Sequence, residues 1–330
     1  MIRVTEKMNQ PHIPFIKTGC DLIKGIHRFE HKAMATMFEV LIHHDDAGYA
    51  RQAAWEAFDE LDRIEAELSR FIENSDISRI NNLPANQPLQ IGLATFECLQ
   101  LCSRVYSETD GAFDVTVGYL MDCWLNDDKT IASPSREDVN QARQHTGLHF
   151  ITLDEDRHTL SLLNSPIRID FGGVGKGYAV DQMAKLLREW SIDSALIHGG
   201  CSSVLALDPP PGRKGWPLTL SSPSDRKKIL ASLDLHNRAL SGSGLQKGPH
   251  ILNPRTGRPV EGKHAAWACT TDAATADALS TAFIVMSSDE VEKYCLSHRD
   301  VLAMLVTEEE GKEERILRFG HWKEDGLNCF

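Results

Sequence analysis

Four glycines fall within the six residues Gly172-Gly173-Val174-Gly175-Lys176-Gly177. They separate a short β-rich run, Ile167–Phe171, from a segment with Val180, Met183, Leu187 and Trp190 at helical spacing. Few local folds accommodate such a stretch. Glycine removes the side-chain bulk that keeps backbone amides and carbonyls away from a ligand. The helix start that follows favours an anion, and Lys176 adds a mobile positive charge inside the turn. Together these residues point to a phosphate-contacting strand–loop–helix. Neither common phosphate loop is present. A P-loop needs Ser or Thr after its Gly-Lys pair, where this chain has Gly177, and the dinucleotide fingerprint G-x-G-x-x-G is replaced by G-x-G-x-G. A tight βα turn with no ligand satisfies the same residues.

The chain has 330 residues, enough for one large domain or two ordinary ones. Its 42% hydrophobic and 25% charged residues are those of a soluble globular protein. A formal net charge of -12 argues against a nucleic-acid partner, whose phosphates it would repel. No apolar run approaches a membrane span. Thr18-Gly19-Cys20 hints at a lipoprotein cleavage site, but Lys17 and the missing apolar core argue against one. Eight cysteines without a C-x-x-C pair read as reduced thiols, and the expected location is cytoplasmic.

Residues 1–30 carry little pattern and are expected to form an irregular lead-in, with residues 31–330 as the functional domain. Phe38–Ile42 alternates as a strand, and a long helix is expected over about Tyr49–Phe71, with Trp55, Phe58, Leu61, Ile64 and Leu68 on one stripe. Residues 71–82 are polar and turn-rich. A helix over Leu93–Glu108 is followed by Gly111, well placed just beyond its end. Gly111–Val117, with Asp114 among apolar and small neighbours, fits a loop entering the interior or a plain helix–strand connection. Ser135 and Asp138 form a capping-box pair, and Phe150–Asp154 with Thr159–Leu163 reads as a hairpin. Short strands follow Trp190, the first at Ala195–His198, and Arg238-Ala239-Leu240 leads into Ser241–Gly244. A fixed turn spans His250–Val260, and a helix is expected over Thr275–Met286 with Leu279, Phe283 and Met286 as its apolar stripe. This succession predicts an α+β fold, a mostly antiparallel sheet with packed helices.

Asp277 and Thr281 lie four apart and face the same way on that last helix. With a backbone carbonyl and ligand phosphates they would make a magnesium site. A polar pair on the surface of an amphipathic helix explains them equally. Five stretches taken together narrow the choice: Met34-Ala35-Thr36, GAFDVTVG (Gly111–Gly118), DFGGVGKGYAVD (Asp170–Asp181), HILNPRTGRPV (His250–Val260) and TADALSTA (Thr275–Ala282). In this order, over about Met34–Val306, the chain resembles the ApbE family, the FAD:protein FMN transferases.

The resemblance implies cleavage of the FAD pyrophosphate, attachment of FMN through a phosphoester to a threonine of a target protein, and release of AMP. It implies Mg2+ as cofactor, FAD as substrate and a target flavoprotein with a D-G-x-[ST]-G-A-T-like segment as partner. Carried over motif by motif, Asp277, Thr281 and the carbonyl of Gly175 are the metal ligands. FAD contacts fall at Met34, Phe71, Ala112, Phe113, Asp114, Gly172, Tyr178 and Leu252. His250 corresponds to the histidine that takes the acceptor threonine's proton, a role suited to an imidazole; a structural histidine at a turn is the other reading. Lys176 contacts phosphate or pairs with a carboxylate. The chain departs from the family pattern at Cys201, which follows the Gly-Gly pair, at Asn253, and at Leu245 after Ser243-Gly244. Two rivals are an FAD pyrophosphatase giving FMN and AMP, and a non-catalytic FAD-binding protein.

Overall fold

A computed structural model describes residues 16–18, 23–126, 130–225, 227–245, 251–307 and 314–322. Its strands are β1 (Ile16–Thr18), β2 (Ile26–Ala33), β3 (Thr36–His43), β4 (Leu89–Gln90), β5 (Ile151–Asp154), β6 (Thr159–Leu162), β7 (Ala195–Gly199) and β8 (Ser203–Ala206). They continue with β9 (Trp216–Ser221), β10 (Ile229–Leu235), β11 (Arg238–Gly244), β12 (Leu252–Asn253), β13 (Arg258–Pro259), β14 (Lys263–Thr270), β15 (Leu302–Thr307) and β16 (Arg315–Phe319). The helices are α1 (Ala47–Leu68), α2 (Asp76–Asn81), α3 (Leu93–Glu108), α4 (Gly118–Trp124), α5 (Arg136–Gln144), α6 (Gly175–Glu189), α7 (Ala273–Val285) and α8 (Ser288–Ser297).

Eight strands form one antiparallel sheet in the order β16-β15-β14-β11-β8-β7-β3-β2. The fold is α+β, as expected from the sequence. Alternation along each strand sends side chains to two cores. Ala239, Ala266, Ala268 and Ala303 face the helices, whereas Leu240, Trp267, Cys269 and Met304 face the small sheet β1-β9-β10. The alanines matter because a low side-chain surface lets a helix approach the sheet closely. That helix is α7, itself rich in alanine and buried on nearly every side. The single apolar stripe expected for it is therefore wrong: a helix packed all round has no solvated face to define one.

Other expectations are corrected. Residues 1–30 are not wholly irregular, since β1 pairs with β9 and β2 with β3. β2 reads as polar because it is the edge of the sheet, where charged side chains protect unpaired backbone groups. Trp55 is 59% exposed, and the buried face of α1 runs instead through Ala50, Ala53, Ala54, Ala57, Phe58, Leu61, Ile64 and Leu68. Ile167–Phe171 joins no sheet. It is extended, with one bridge between Arg168 and Val117, and its backbone groups are taken up by Gly118, Val115 and the Asn81 side chain. The run is thus fixed against the Gly111–Gly118 loop, which does enter the interior: Ala112, Phe113, Asp114, Val115 and Thr116 are buried. Ser241–Gly244 continues strand β11, and the polar stretch 71–82 contains α2, capped by Ser75. Among the described residues no cysteine is in a disulfide and no helix is long and apolar enough to cross a membrane.

Candidate active site

Helix α6 begins inside the glycine run, at Gly175, and lies against the first turns of α7. Gly177 makes that approach possible, for a Cβ there would stand 2.2 Å from the Ala273 carbonyl oxygen. The contact brings Asp277, only 3% exposed, onto the glycine run. Its Oδ2 accepts a hydrogen bond from Gly177 N at 3.1 Å and lies 3.4 Å from Lys176 Nζ. Lys176 Nζ also donates to Gly172 O at 3.1 Å. A cationic group therefore already sits between a carboxylate and a backbone carbonyl. One helical turn beyond Asp277, Thr281 Oγ1 is 3.1 Å from Ser243 Oγ on β11. Gly173 fits between Thr281 and Phe113, with room for no side chain that would not press on both.

Beside this cluster is a cavity of about 430 Å³. Met34 and Ala35 form one wall, Arg70 and Phe71 another, and Gly172, Gly175 and Lys176 its floor. Met34 and Ala35 make the β2–β3 turn with positive φ, 48° and 57°. Non-glycine residues adopt that region at a cost of order 1–3 kcal/mol each. Phe71 is 83% exposed. The Arg70 guanidinium lies 4.6 Å over its ring, and Arg70 Nε is 2.7 Å from Asp170 Oδ2. Asp170 Oδ1 in turn accepts from Gly172 N at 2.6 Å. The aromatic wall is thereby tied to the glycine floor. A larger and more open hollow, about 490 Å³ and lined in part by Tyr119, Asp122 and His145, contains none of the sequence-predicted residues. The smaller cavity, which adjoins the Lys176–Asp277 cluster, is the candidate site.

The donor set fits a hard divalent cation. Among the described residues no three His, Cys, Asp or Glu side chains gather as a metal cluster. One carboxylate, one hydroxyl and backbone carbonyls are present instead, an all-oxygen set of the kind Mg2+ takes alongside phosphate and water. Two oxygens at the cluster, Gly172 O and Asp277 Oδ2, already accommodate positive charge, that of the Lys176 ammonium.

Comparison with known proteins decides the family. Residues 34–306 match the model of the ApbE family. The chain belongs to the ApbE family. Its relatives include the FAD:protein FMN transferase of Salmonella typhimurium, 27% identical, with 90% of this chain and 91% of that protein covered. The FAD:protein FMN transferase of Chlamydia muridarum is 29% identical over 71% of this chain and 74% of its own length. Among solved structures, the ApbE protein of Thermotoga maritima superposes with a TM-score of 0.81 at 26% identity, covering 91% of this chain and 99% of that one. The flavin transferase ApbE of Vibrio cholerae, at 20% identity and a TM-score of 0.80 over 91% of this chain and 99% of its own, shares the fold.

Within this ApbE-family chain, Met34, Phe71, Gly172 and Gly175 line the cavity, and Asp277 meets it through Lys176. Thr281 and Phe113 adjoin Gly173. The remaining sequence-predicted residues lie in the supporting walls. Asp114 accepts from Thr116 N and Oγ1 at 2.8 and 2.6 Å, and Thr116 Oγ1 accepts from Gly147 N at 2.6 Å. Burial pushes the Asp114 carboxyl up to about 6 despite those bonds. Ala112 is buried beside it. Tyr178 is buried with its hydroxyl donating to Glu97 at 2.7 Å; burial and that carboxylate raise the phenol well above its ordinary value. Leu252 packs with Leu120 and Ala142 in a separate cluster. The turn after it is pinned by Arg255, which donates to the Thr109 and Asp110 carbonyls and to Glu290. His250 lies outside the described residues. Arg70 and Asp170, which line the cavity, and Ser243, which meets Thr281, were not among the candidate site residues read from the sequence. Arg70 and Asp170 flank residues that were singled out, but only the fold brings them together.

Proposed function

We propose that this protein transfers FMN from FAD to a threonine of a target flavoprotein, with Mg2+, and releases AMP. The observation that carries the reading is the Lys176 ammonium held between Gly172 O and Asp277 Oδ2, at the edge of a cavity with an exposed aromatic wall. The names of the relatives support the reaction class. In this reading Asp277, Thr281 and the Gly175 carbonyl hold the metal, which supplies charge neutralisation at the pyrophosphate and at the phosphorus as negative charge develops. Lys176 exchanges its carboxylate partner for a phosphate oxygen. Phe71 and Met34 cover the flavin ring, and the glycine floor leaves the diphosphate free to approach backbone. The acceptor threonine oxygen attacks the FMN phosphorus, the bond to the AMP phosphate oxygen breaks, and His250 takes the threonine proton. The transferase domain takes in β1 and β2 as well as the residues after them, and the target presents a D-G-x-[ST]-G-A-T-like segment. A cytoplasmic location is part of this reading, supported by the cysteine usage.

The test is incubation of the purified protein with FAD, Mg2+ and a peptide carrying that segment. AMP and flavin-labelled peptide should form in equal amounts. Free FMN with unlabelled peptide would replace transfer by pyrophosphate hydrolysis, and intact bound FAD would reduce the protein to a flavin binder.

A further inference from the structure

Asp181 touches neither the cavity nor the cation-holding oxygens, yet it grips the helix that carries them. Its Oδ1 accepts from Ala273 N at 2.7 Å and its Oδ2 from Ala274 N at 2.8 Å. Those are the first two amides of α7, which a helix leaves without internal partners. The usual capping position is already filled, because Asp272 accepts from Thr275 N at 2.8 Å. Two carboxylates thus serve one helix start, and the second comes from α6. Burial and the nearby Asp272 charge push the Asp181 carboxyl up to about 7, so this arrangement works against ionisation rather than for it. Capping alone does not require it.

What Asp181 adds is a fixed distance between two helices. Gly177 lies one turn before Asp181 on α6, and it meets both the Ala273 carbonyl and, through its amide, Asp277 Oδ2. Asp277 lies one turn after Ala273 on α7. The two helices are therefore joined at two levels, one turn apart, and the level nearer the cavity is the Asp277 carboxylate itself. We infer that Asp181 is a positioning residue: by holding the Ala273 and Ala274 amides it sets where the Asp277 carboxylate stands over the glycine run. This rests on the reading of Asp277 as a metal ligand.

The opposite end of α7 supplies a reference. Lys263 Nζ donates to the Phe283 and Ile284 carbonyls at 3.0 and 3.3 Å, so Lys263→Met loosens the same helix far from Gly177. The experiment measures Mn2+ binding to parent, Asp181→Asn and Lys263→Met by electron paramagnetic resonance, with FAD present, alongside thermal unfolding. Asparagine keeps one acceptor and turns an amide donor toward the other backbone N–H. Asp181→Asn should weaken Mn2+ binding about tenfold or more, while Lys263→Met, with a comparable fall in Tm, should stay within about twofold of the parent. Unchanged Mn2+ binding in Asp181→Asn, or equal weakening in both variants, overturns the proposal. A parent protein that binds no Mn2+ overturns instead the metal reading beneath it. If Asp181→Asn does not fold, Asp181→Ser is measured against the same two outcomes.

Discussion

Replacing Gly177 with alanine should disable the site out of proportion to its effect on stability. The added Cβ would meet Ala273 O at 2.2 Å, Ala273 C at 2.6 Å and Ala274 Cα at 2.9 Å. All three are backbone atoms, so no side chain can swing aside, and α7 must retreat by roughly 1 Å to restore ordinary contact. Overpacking of this kind costs about 1–3 kcal/mol. Against it stands a gain of about 0.5–1 kcal/mol from replacing glycine within a helix. The net loss is then about 0–2.5 kcal/mol, a fall in Tm of a few degrees for a chain of this size. The same retreat stretches the 3.1 Å bond from Gly177 N to Asp277 Oδ2 beyond hydrogen-bonding range. A catalytic group displaced by about 1 Å costs on the order of 10²-fold in rate. Thermal unfolding and AMP release at saturating FAD measure the two effects together. Turnover within about twofold of the parent would refute the idea that close α6–α7 contact places Asp277.

Phe71→Ala should raise the KM for FAD by about 5–30-fold, the loss of an apolar ring contact of about 1–2 kcal/mol, and leave Tm unchanged because the ring is 83% exposed; initial rates over a range of FAD check it. Ala35→Gly relieves a φ of 57° and should raise Tm by about 1–2 °C, as differential scanning calorimetry would show. His198 is 6% exposed, and burial, with Arg28 nearby, holds it down to about 4. Between that value and its ordinary 6.5 the unfolded chain binds a proton that the folded chain does not, so this histidine's contribution falls as pH drops through the window. From pH 7 to pH 5 the parent should therefore lose about 2 kcal/mol relative to His198→Asn in urea unfolding, whatever the other groups do to both proteins.

The sequence was most legible where local chemistry decides the outcome. α3 runs over Leu93–Glu108 as its periodicity predicts, and Ser135 with Asp138 forms the capping box. Reading failed where the decisive partner is remote in the chain. The Ile167–Phe171 run has strand-like residues but is held by the Val115 carbonyl, the Gly118 amide and the Asn81 side chain, so no ladder forms. Trp55 fits a helical stripe by spacing, although the surface that α1 packs on selects alanines beside it. In the site, the residue types of Asp277 and Thr281 and the glycine run signalled oxygen ligands and a bare backbone. Arg70 and Ser243 gave no such signal. Their parts depend on Asp170 and on Thr281, each far away in the sequence.

The most direct test of the account is the rate of FAD-dependent AMP release by Asp277→Ala across a magnesium titration, beside the parent, whose rate should rise with magnesium. Turnover should fall at least 10²-fold in the variant, in line with the loss of a group that positions transition-state charge, and added magnesium should not restore it. Full turnover by the variant at limiting magnesium would contradict the placement of the cation on α7.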